Sequence, residues 1–291
     1  MTMADTALSR LAAQPELDRV AQPLGEAVVA AYRNAGGVGY AVKNALHGVW
    51  LGHPLHTALT DIPIGAWATT LALDVKAAAS GDVSYTRAAD FALAFGLAGA
   101  VGSAVTGLTD WSETDGRAKR IGLIHGLLNV SATALMVTAY MLRRREERRA
   151  GEVCTLAGIG VAMAGAYLGG ELVFAERIGV THASVDEPER FTSVLASAAL
   201  ADGTMQRVQV NDLDLLLVRQ HGRVCALAHA CAHLGGPLSE GTLKDGTVVC
   251  PWHGSEFRLE DGAVVNGPST HAQPCFDVRE RNGQIEVGPT E

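Results

Sequence analysis

Four long apolar runs in the first 180 residues constrain the fold of this 291-residue chain more than any other feature. They lie at residues 56–73, 89–108, 121–142 and 153–174. A helix needs about 20 mostly apolar residues to cross a bilayer, and the last two runs meet that length almost without charge. Glycine and alanine recur through the runs, as is typical of helices that pack closely in lipid. The sequence therefore predicts a four-helix transmembrane bundle over residues 46–178.

The rest of the chain divides into a segment before the bundle and a domain after it. Residues 1–45 are polar and mixed, and Pro15 and Pro23 are expected to interrupt short amphipathic pieces there. Residues 41–50 are expected to lie along the membrane surface. Residues 188–291 contain short strand-forming runs separated by Gly and Asn-Asp turns, which predict an all-β domain. The fold class is thus a multi-domain membrane protein, an all-α bundle followed by an all-β domain.

Acidic residues dominate the C-terminal domain. Residues 181–291 hold 15 Asp and Glu against 8 Lys and Arg, so this part carries most of the net charge of −8. Such a balance argues against nucleic acid as a partner, because nucleic acids are bound by basic surfaces. A solvated acidic surface and a docking surface for a basic electron-transfer protein remain alternative explanations.

Two cysteine–histidine pairs stand close together in this domain. One residue separates Cys231 from His233, and two residues separate Cys250 from His253. Two thiolates and two imidazoles suit a zinc ion, or an iron–sulfur centre in which the cysteines hold one iron and the histidines the other. Glycines beside both pairs let backbone amides approach bound sulfides. The presence of both pairs at this spacing favours the iron–sulfur centre.

The sequence around the two pairs resembles the Rieske 2Fe–2S family. The resemblance extends to Leu-Gly-Gly-Pro-Leu at 234–238 and Gly-Ser-Glu-Phe at 254–257. It implies a 2Fe–2S cluster at one tip of the all-β domain, with a serine hydroxyl donating to a cluster sulfur. The residues implied as cluster-binding are Cys231, His233, Cys250, His253 and Ser255.

Departures from the family pattern narrow the type of module. Rieske subunits of respiratory cytochrome bc complexes place a disulfide cysteine after each ligand pair, where this chain has Gly235 and Trp252. Phe257 stands where the high-potential form has tyrosine. The resemblance is therefore to a ferredoxin-like module, in the lower part of the roughly −150 to +300 mV range of such centres. The cysteines at 154, 225 and 275 are expected to be buried thiols rather than ligands.

The helical half resembles an uncharacterised bacterial membrane domain of four helices that recurs in fusion with Rieske modules. The matching segments are His-Pro-Leu-His at 53–56, Thr-Gly-Leu-Thr-Asp-Trp at 106–111 and Gly-Gly-Glu-Leu at 169–172. The resemblance implies no settled activity for this half.

Six ionisable residues of the bundle are predicted to lie in the same leaflet, on the side of the C-terminal domain. They are His53, His56, Asp61, Asp110, His125 and Glu171. Ionisable groups at membrane depth are costly and usually functional. The alternatives are a b-type haem held by His125 and a histidine of the first run, a quinone pocket, a non-haem metal site, or structural polar residues at the headgroup boundary.

The charges flanking the runs bear on orientation in the membrane. Lys76, Arg87 and five arginines between 143 and 149 lie on the side opposite the C-terminal domain, which the positive-inside rule would place in the cytoplasm. Iron–sulfur clusters, however, are inserted in the cytoplasm, and unpaired Cys225 and Cys275 fit a reducing compartment. We expect a multi-pass protein of the cell membrane and prefer the cytoplasmic placement of the C-terminal domain.

These features predict one-electron transfer between a membrane or soluble donor and an unknown acceptor. The protein is expected to be a component of an oxidoreductase system rather than a stand-alone enzyme. The expected partners are electron donor or acceptor proteins or quinone, with membrane lipid around the bundle. The alternative is a membrane-bound redox sensor or assembly factor without turnover. An oxygenase catalytic subunit is disfavoured, because about forty residues after His253 leave no room for a second iron domain.

Overall fold

The computed structural model describes residues 12–290 and divides them into two compact units. One unit comprises the residues up to Gly36 together with Leu55–Glu176, and the other comprises Gly37–Pro54 together with the residues from Arg177 onward. The beginning of the predicted polar segment, residues 1–11, lies outside the described residues.

The described residues before position 177 form six α-helices rather than the four predicted. They are α1 (Asp18–Asn34), α2 (Gly36–His47), α3 (Leu55–Ser80), α4 (Val83–Ser112), α5 (Gly116–Arg144) and α6 (Arg148–Phe174). The all-α class of this half is confirmed, and the helix number is corrected. The two additional helices precede the first apolar run. Pro23 lies inside α1 without ending it, in a segment rich in Ala, Leu, Arg and Glu, which favour helix.

Three of the helices, α4, α5 and α6, are long and apolar enough to cross a membrane. Helix α3 corresponds to the first apolar run and has 26 residues, but it is not among these three. It contains the charged residues Asp61, Asp74 and Lys76. The membrane character of the helical half therefore depends most directly on the three later helices.

Close packing in the helical unit depends on small residues at the helix contacts. A Cβ atom added at Gly96 of α4 would lie 2.5 Å from the Trp67 ring of α3, and one at Gly158 of α6 would lie 2.9 Å from Met136 of α5. The connection between α3 and α4 is short. Gly81, with φ of +69°, follows α3, and the Asp82 carboxylate accepts the N–H of Ser84 at 2.8 Å to cap α4.

A buried ion network joins the ends of four helices. The Arg143 side chain is fully buried and donates to Asp74 at 3.0 Å and to Asp90 at 3.1 Å. Arg148 donates to the same two carboxylates at 2.7 Å. Two of the arginines that served as flanking positive charges in the orientation argument are thus neutralised within the unit. Their weight in the positive-inside rule is reduced accordingly.

The C-terminal part of the second unit is all-β, as predicted. Its ten strands are β1 (Thr192–Ala196), β2 (Thr204–Val210), β3 (Leu213–Gln220), β4 (Arg223–Ala228), β5 (Thr242–Lys244), β6 (Thr247–Val249), β7 (Glu256–Arg258), β8 (Val264–Asn266), β9 (Cys275–Arg281) and β10 (Gln284–Gly288). A six-stranded sheet has the order β1-β10-β9-β4-β3-β2, and a four-stranded sheet has the order β5-β6-β7-β8. All pairings between these ten strands are antiparallel.

The core of this domain is formed by strands in which apolar residues either alternate with polar ones or follow one another without interruption. Residues 215–218 of β3, which pairs with β2 and β4, are all fully buried, so this strand is covered on both faces. Asn282 and Gly283 both adopt positive φ, as the tight hairpin turn between β9 and β10 requires. The smaller sheet holds one of the cysteine–histidine pairs in the connection between β6 and β7. Only some of its short strands were predicted from the sequence.

Candidate functional site

The two cysteine–histidine pairs lie on two loops with the same backbone hydrogen-bond frame. In the first loop the Cys231 N–H donates to the Gly236 carbonyl at 2.8 Å, and the Gly235 N–H donates back to Cys231 at 2.8 Å. In the second loop the Cys250 N–H donates to Ser255 at 2.8 Å, and the Gly254 N–H donates back at 3.2 Å. The offsets from the cysteine are therefore identical in the two loops.

Glycine is required at the fourth position after each cysteine. Gly235 has φ of +77° and Gly254 has φ of +74°, a region that residues with a Cβ atom rarely adopt. The two loops therefore have the same backbone shape, although one residue separates cysteine from histidine in the first loop and two residues separate them in the second. The shape follows from glycine placement, which the sequence already displayed.

The four candidate ligands converge as a sulfur pair and an imidazole pair. Cys231 and Cys250 are 1% and 4% exposed, and their side chains share a hydrogen bond. The rings of His233 and His253 lie 5.1 Å apart between centroids, at 85° to each other. The two cysteine side chains are thus adjacent to each other, and so are the two histidine rings. The sequence prediction, in which the cysteines hold one iron and the histidines the other, needs this arrangement.

The shared hydrogen bond favours the thiolate form of Cys250. The hydrogen bond between the two sulfurs, followed by burial, raises the pKa of Cys231, and the same bond lowers the pKa of Cys250 to about 6. Backbone N–H groups two and three residues after each cysteine also donate to its sulfur. Because iron and zinc bind the thiolate rather than the thiol, these donors favour metal binding.

The environment of His233 favours its neutral form. Burial, and then the nearby His253, lower the pKa of His233 well below its usual value. Its Nδ1 atom is buried and has no hydrogen-bond partner among the described residues. A buried ring nitrogen without a partner is costly in a purely structural role and is the state that a metal ligand requires.

The arrangement fits a two-iron cluster better than a single ion. Among residues 12–290, no three His, Cys, Asp or Glu side chains are grouped closely enough to hold one metal ion, whereas tetrahedral zinc needs four ligands around one point. A Cβ atom at Gly236 would lie 2.8 Å from the Cys250 sulfur, so only glycine leaves that sulfur its place. Two separate ligand pairs are what a centre with one iron on sulfur and one on nitrogen requires.

A third loop, residues 267–274 between β8 and β9, lies beside the two ligand loops. Ser255 is fully buried, and its Oγ accepts the N–H of Ser269 at 3.0 Å. The serine hydroxyl proton is therefore available for another acceptor, which is consistent with the predicted bond to a cluster sulfur.

Gln273, which the sequence gave no reason to single out, ties this third loop to the first ligand loop. Its Oε1 accepts the N–H of Ala232 at 2.9 Å, and its Nε2 donates to the carbonyls of Ala228 and Ala230 at 2.7 and 2.8 Å. The contacts span more than forty residues and involve backbone groups, so no sequence motif announces them.

The remaining cysteines take no part in the site. Cys154 is half-buried in α6, and Cys225 and Cys275 are half-buried in the β domain. Burial raises the pKa of Cys225, and it raises the pKa of Cys275 to about 12. Both behave as inert protonated thiols, in accord with the expectation from the sequence.

The structure brings two of the six predicted membrane residues together. His56 and His125 face each other at 6.5 Å between ring centroids, with Nδ1 of each 2.9 and 2.8 Å from the carbonyls of Ser103 and Gly165. Asp61 is exposed on the surface of its unit.

Glu171 and Asp110 of the same unit lie elsewhere. Glu171 is engaged by Arg117 at 3.3 Å, and Asp110 is half-buried on α4. His53 belongs to the other unit. A cofactor or quinone site in the bundle stays a prediction, now limited to the two facing histidines.

Comparison with known proteins assigns both halves. Residues 190–277 match the model of the Rieske [2Fe-2S] domain. Ferredoxin CarAc of Metapseudomonas resinovorans is 32% identical over 95 residues, which are 32% of this chain and 89% of that protein. The chain belongs to the Rieske family. Its Rieske domain carries a 2Fe–2S cluster, and residues 52–182 match a predicted membrane protein family, DUF2231.

Two further relatives show how widely the Rieske domain is shared. The ferredoxin component of the alkene monooxygenase system of Xanthobacter autotrophicus is 32% identical over 34% of this chain and 80% of that protein. Human apoptosis-inducing factor 3 is 35% identical over 30% of this chain. The match spans only 14% of the length of that protein, so the similarity concerns the Rieske domain alone.

Proposed function

We propose that the protein is a membrane-anchored Rieske protein that passes single electrons from a donor to an acceptor protein. Cys231 and Cys250 hold one iron and His233 and His253 hold the other. The coarser part of this statement, electron transfer by a Rieske protein, agrees with the ferredoxin relatives. The membrane anchor is supported by the match of residues 52–182 and by the three apolar helices.

The observation that carries the proposal is the shared frame of the two ligand loops. Each loop presents a buried sulfur with two backbone donors, and together they present two adjacent imidazole rings. The bound cluster supplies a one-electron couple. The protein holds its ligands in place, excludes water from the sulfurs and keeps the hydroxyl of Ser255 beside them.

The exposed side of the second ligand loop is the proposed point of electron entry and exit. Trp252 is 57% exposed, and its ring lies 6.4 Å from the ring of His253. An exposed aromatic beside a ligand is suited to burial by a docking partner. By analogy with the ferredoxin components of oxygenase systems, we propose that the acceptor is an oxygenase or another redox protein.

Electron-paramagnetic resonance of the full-length protein in detergent tests the cluster. After reduction with dithionite we expect the signal of a Rieske centre, with two irons and two sulfides per chain. The variant Cys231→Ser is expected to lose the signal, while Cys225→Ser retains it. Stoichiometric zinc with no signal in the wild type would overturn the proposal.

A turnover assay separates electron transfer from sensing. Electron transfer predicts that Trp252→Ala slows reduction of the acceptor while the cluster signal is retained. Sensing without turnover predicts unchanged electron flux and an altered association with a partner. We propose the cytoplasmic side for the Rieske domain, and labelling of a cysteine placed at the exposed Asp202 in intact cells checks it.

A further inference from the structure

Helix α2 and the short helix after it belong to the same compact unit as the Rieske domain, although they precede the membrane region in sequence. The burial of α2 is the reverse of an ordinary amphipathic helix. Gly39, Lys43 and His47, spaced by four residues and so on one face, are buried, whereas Val38 and Val42 are 73% and 46% exposed. The polar edge of the helix is directed inward.

This inward edge contacts the third loop of the cluster site. Asn44 Oδ1 accepts the N–H of Gly267 at 2.9 Å. A Cβ atom at Gly267 would lie 3.3 Å from Val49 and 3.4 Å from the His47 ring, so the loop is in close contact with the segment. Two residues further on, Ser269 donates to Ser255 of the second ligand loop. A continuous chain of contacts thus runs from α2 to the ligand loops.

The same edge brings a basic side chain into the interior of the unit. Lys43 lies one helical turn before His47 on the buried face and is adjacent in sequence to Asn44, which binds Gly267. Lys43 is only 6% exposed. A lysine is rarely so buried, and its charge is poorly screened by solvent there.

We propose that α2 is an additional wall of the cluster site and that its buried edge, formed by Lys43, Asn44 and His47, raises the reduction potential of the cluster. The inference rests on the proposed cluster ligands. One electron entering the cluster lowers the net charge of cluster and ligands by one, and nothing else is consumed. Positive charge beside the site stabilises the reduced state, and negative charge there opposes it.

The magnitude follows from the charge involved. At an effective dielectric constant of about 20, a unit charge roughly 10 Å from the cluster changes the ratio of reduced to oxidised protein about tenfold at a fixed potential. For a one-electron couple, tenfold corresponds to about 59 mV. A shift of this order is readily resolved by a potentiometric titration followed by electron-paramagnetic resonance.

The test compares four variants of the full-length protein in detergent. Lys43→Met removes a charge and keeps the length of the side chain, and Lys43→Arg restores the charge. Asn44→Asp keeps the acceptor for Gly267 and adds a negative charge. Ala45→Asp places the same charge one residue away on the exposed side of α2. We expect Lys43→Met and Asn44→Asp to lower the ratio of reduced to oxidised protein severalfold at a fixed potential. Lys43→Arg and Ala45→Asp should change that ratio by about twofold or less.

The outcomes distinguish this inference from the proposed function. If Lys43→Met fails to retain a cluster, Asn44→Asp decides, because it preserves the hydrogen bond. The inference is overturned if Lys43→Met and Asn44→Asp, where they retain the cluster, both have the reduction potential of the wild type. The proposed cluster ligands would not be affected by that result. Absence of a Rieske signal in the wild type overturns both.

Discussion

Gln273 is the side chain whose removal tests the architecture of the site most directly. It is 1% exposed and makes three hydrogen bonds to backbone groups of β4 and the first ligand loop, with Ala232, Ala228 and Ala230. Gln273→Met keeps a similar length and removes all three. Each buried group that loses its partner costs about 1–3 kcal/mol, so the variant should be destabilised by at least ~3 kcal/mol.

The assay is thermal loss of the visible absorption of the cluster in the full-length protein. A loss of ~3 kcal/mol in a domain of this size corresponds to a decrease in Tm of roughly 10 °C or more. Gln273→Glu provides a second measurement. It keeps the shape and the acceptor for Ala232, but it replaces the donor by an oxygen directed at two carbonyls, so it should be at least as destabilising.

The matched control is Gln209→Met on the exposed side of β2, where a surface substitution changes stability by about 0.5 kcal/mol or less. If Gln273→Met and this control lose the cluster absorption at the same temperature, the hydrogen bonds of Gln273 do not hold the ligand loop, and the reasoning is refuted. If only Gln273→Glu is stable, packing rather than hydrogen bonding would be the relevant contribution of the side chain.

Three other predictions concern separate parts of the protein. Gly236→Ala places a methyl 2.8 Å from a ligand sulfur and is expected to lower the iron and sulfide content per chain. Asp74→Ala leaves the buried Arg143 without its main counter-charge and should cost about 3–5 kcal/mol, measured as a lower helix-melting temperature. The Asp245 carboxylate raises the pKa of His221, so nuclear magnetic resonance should give a value above 6.5 that falls in Asp245→Asn. That pair stabilises the fold at pH values below the unfolded pKa, and the contribution is lost as pH rises through the raised folded pKa.

Controls are available for two of these changes. Gly203→Ala adds a methyl with no atom within 4 Å, so it should keep a full cluster despite some backbone strain at φ of +75°. Arg144→Ala removes an exposed arginine next to the buried one and should leave the melting temperature unchanged. A normal cluster content in Gly236→Ala, or equal melting of the Asp74 and Arg144 variants, would contradict the respective packing or ion-pair argument.

Local patterns in the sequence were sufficient for the class of each half and for the presence of a 2Fe–2S cluster. The apolar runs correspond to α3–α6, because helix in lipid is dictated by length and composition. The cysteine–histidine pairs indicated a two-iron centre, since ligand type and spacing are themselves local properties. Gly235 and Gly254 were predicted only to let backbone amides approach the cluster, and the structure adds that both adopt positive φ angles.

Long-range contacts were not predictable in this way. The bond from Asn44 to Gly267 joins residues 223 positions apart. The sequence had placed residues 41–50 along the membrane surface, whereas Lys43 and His47 are buried in their unit. The contacts of Gln273 involve backbone groups, which carry no sequence signal. Arg143 likewise resembled one of several flanking charges, because nothing local shows that Asp74, 69 residues earlier, neutralises it.

The membership of residues 37–54 in the Rieske unit has a topological consequence. The chain leaves this unit at Pro54 and returns to it at Arg177, and one folded unit occupies only one side of a bilayer. In the proposed membrane arrangement, the intervening segment would therefore cross the bilayer an even number of times. Three helices qualify by composition, so in the proposed arrangement α3 supplies the remaining crossing and carries Asp61 and Asp74 into the lipid-spanning layer.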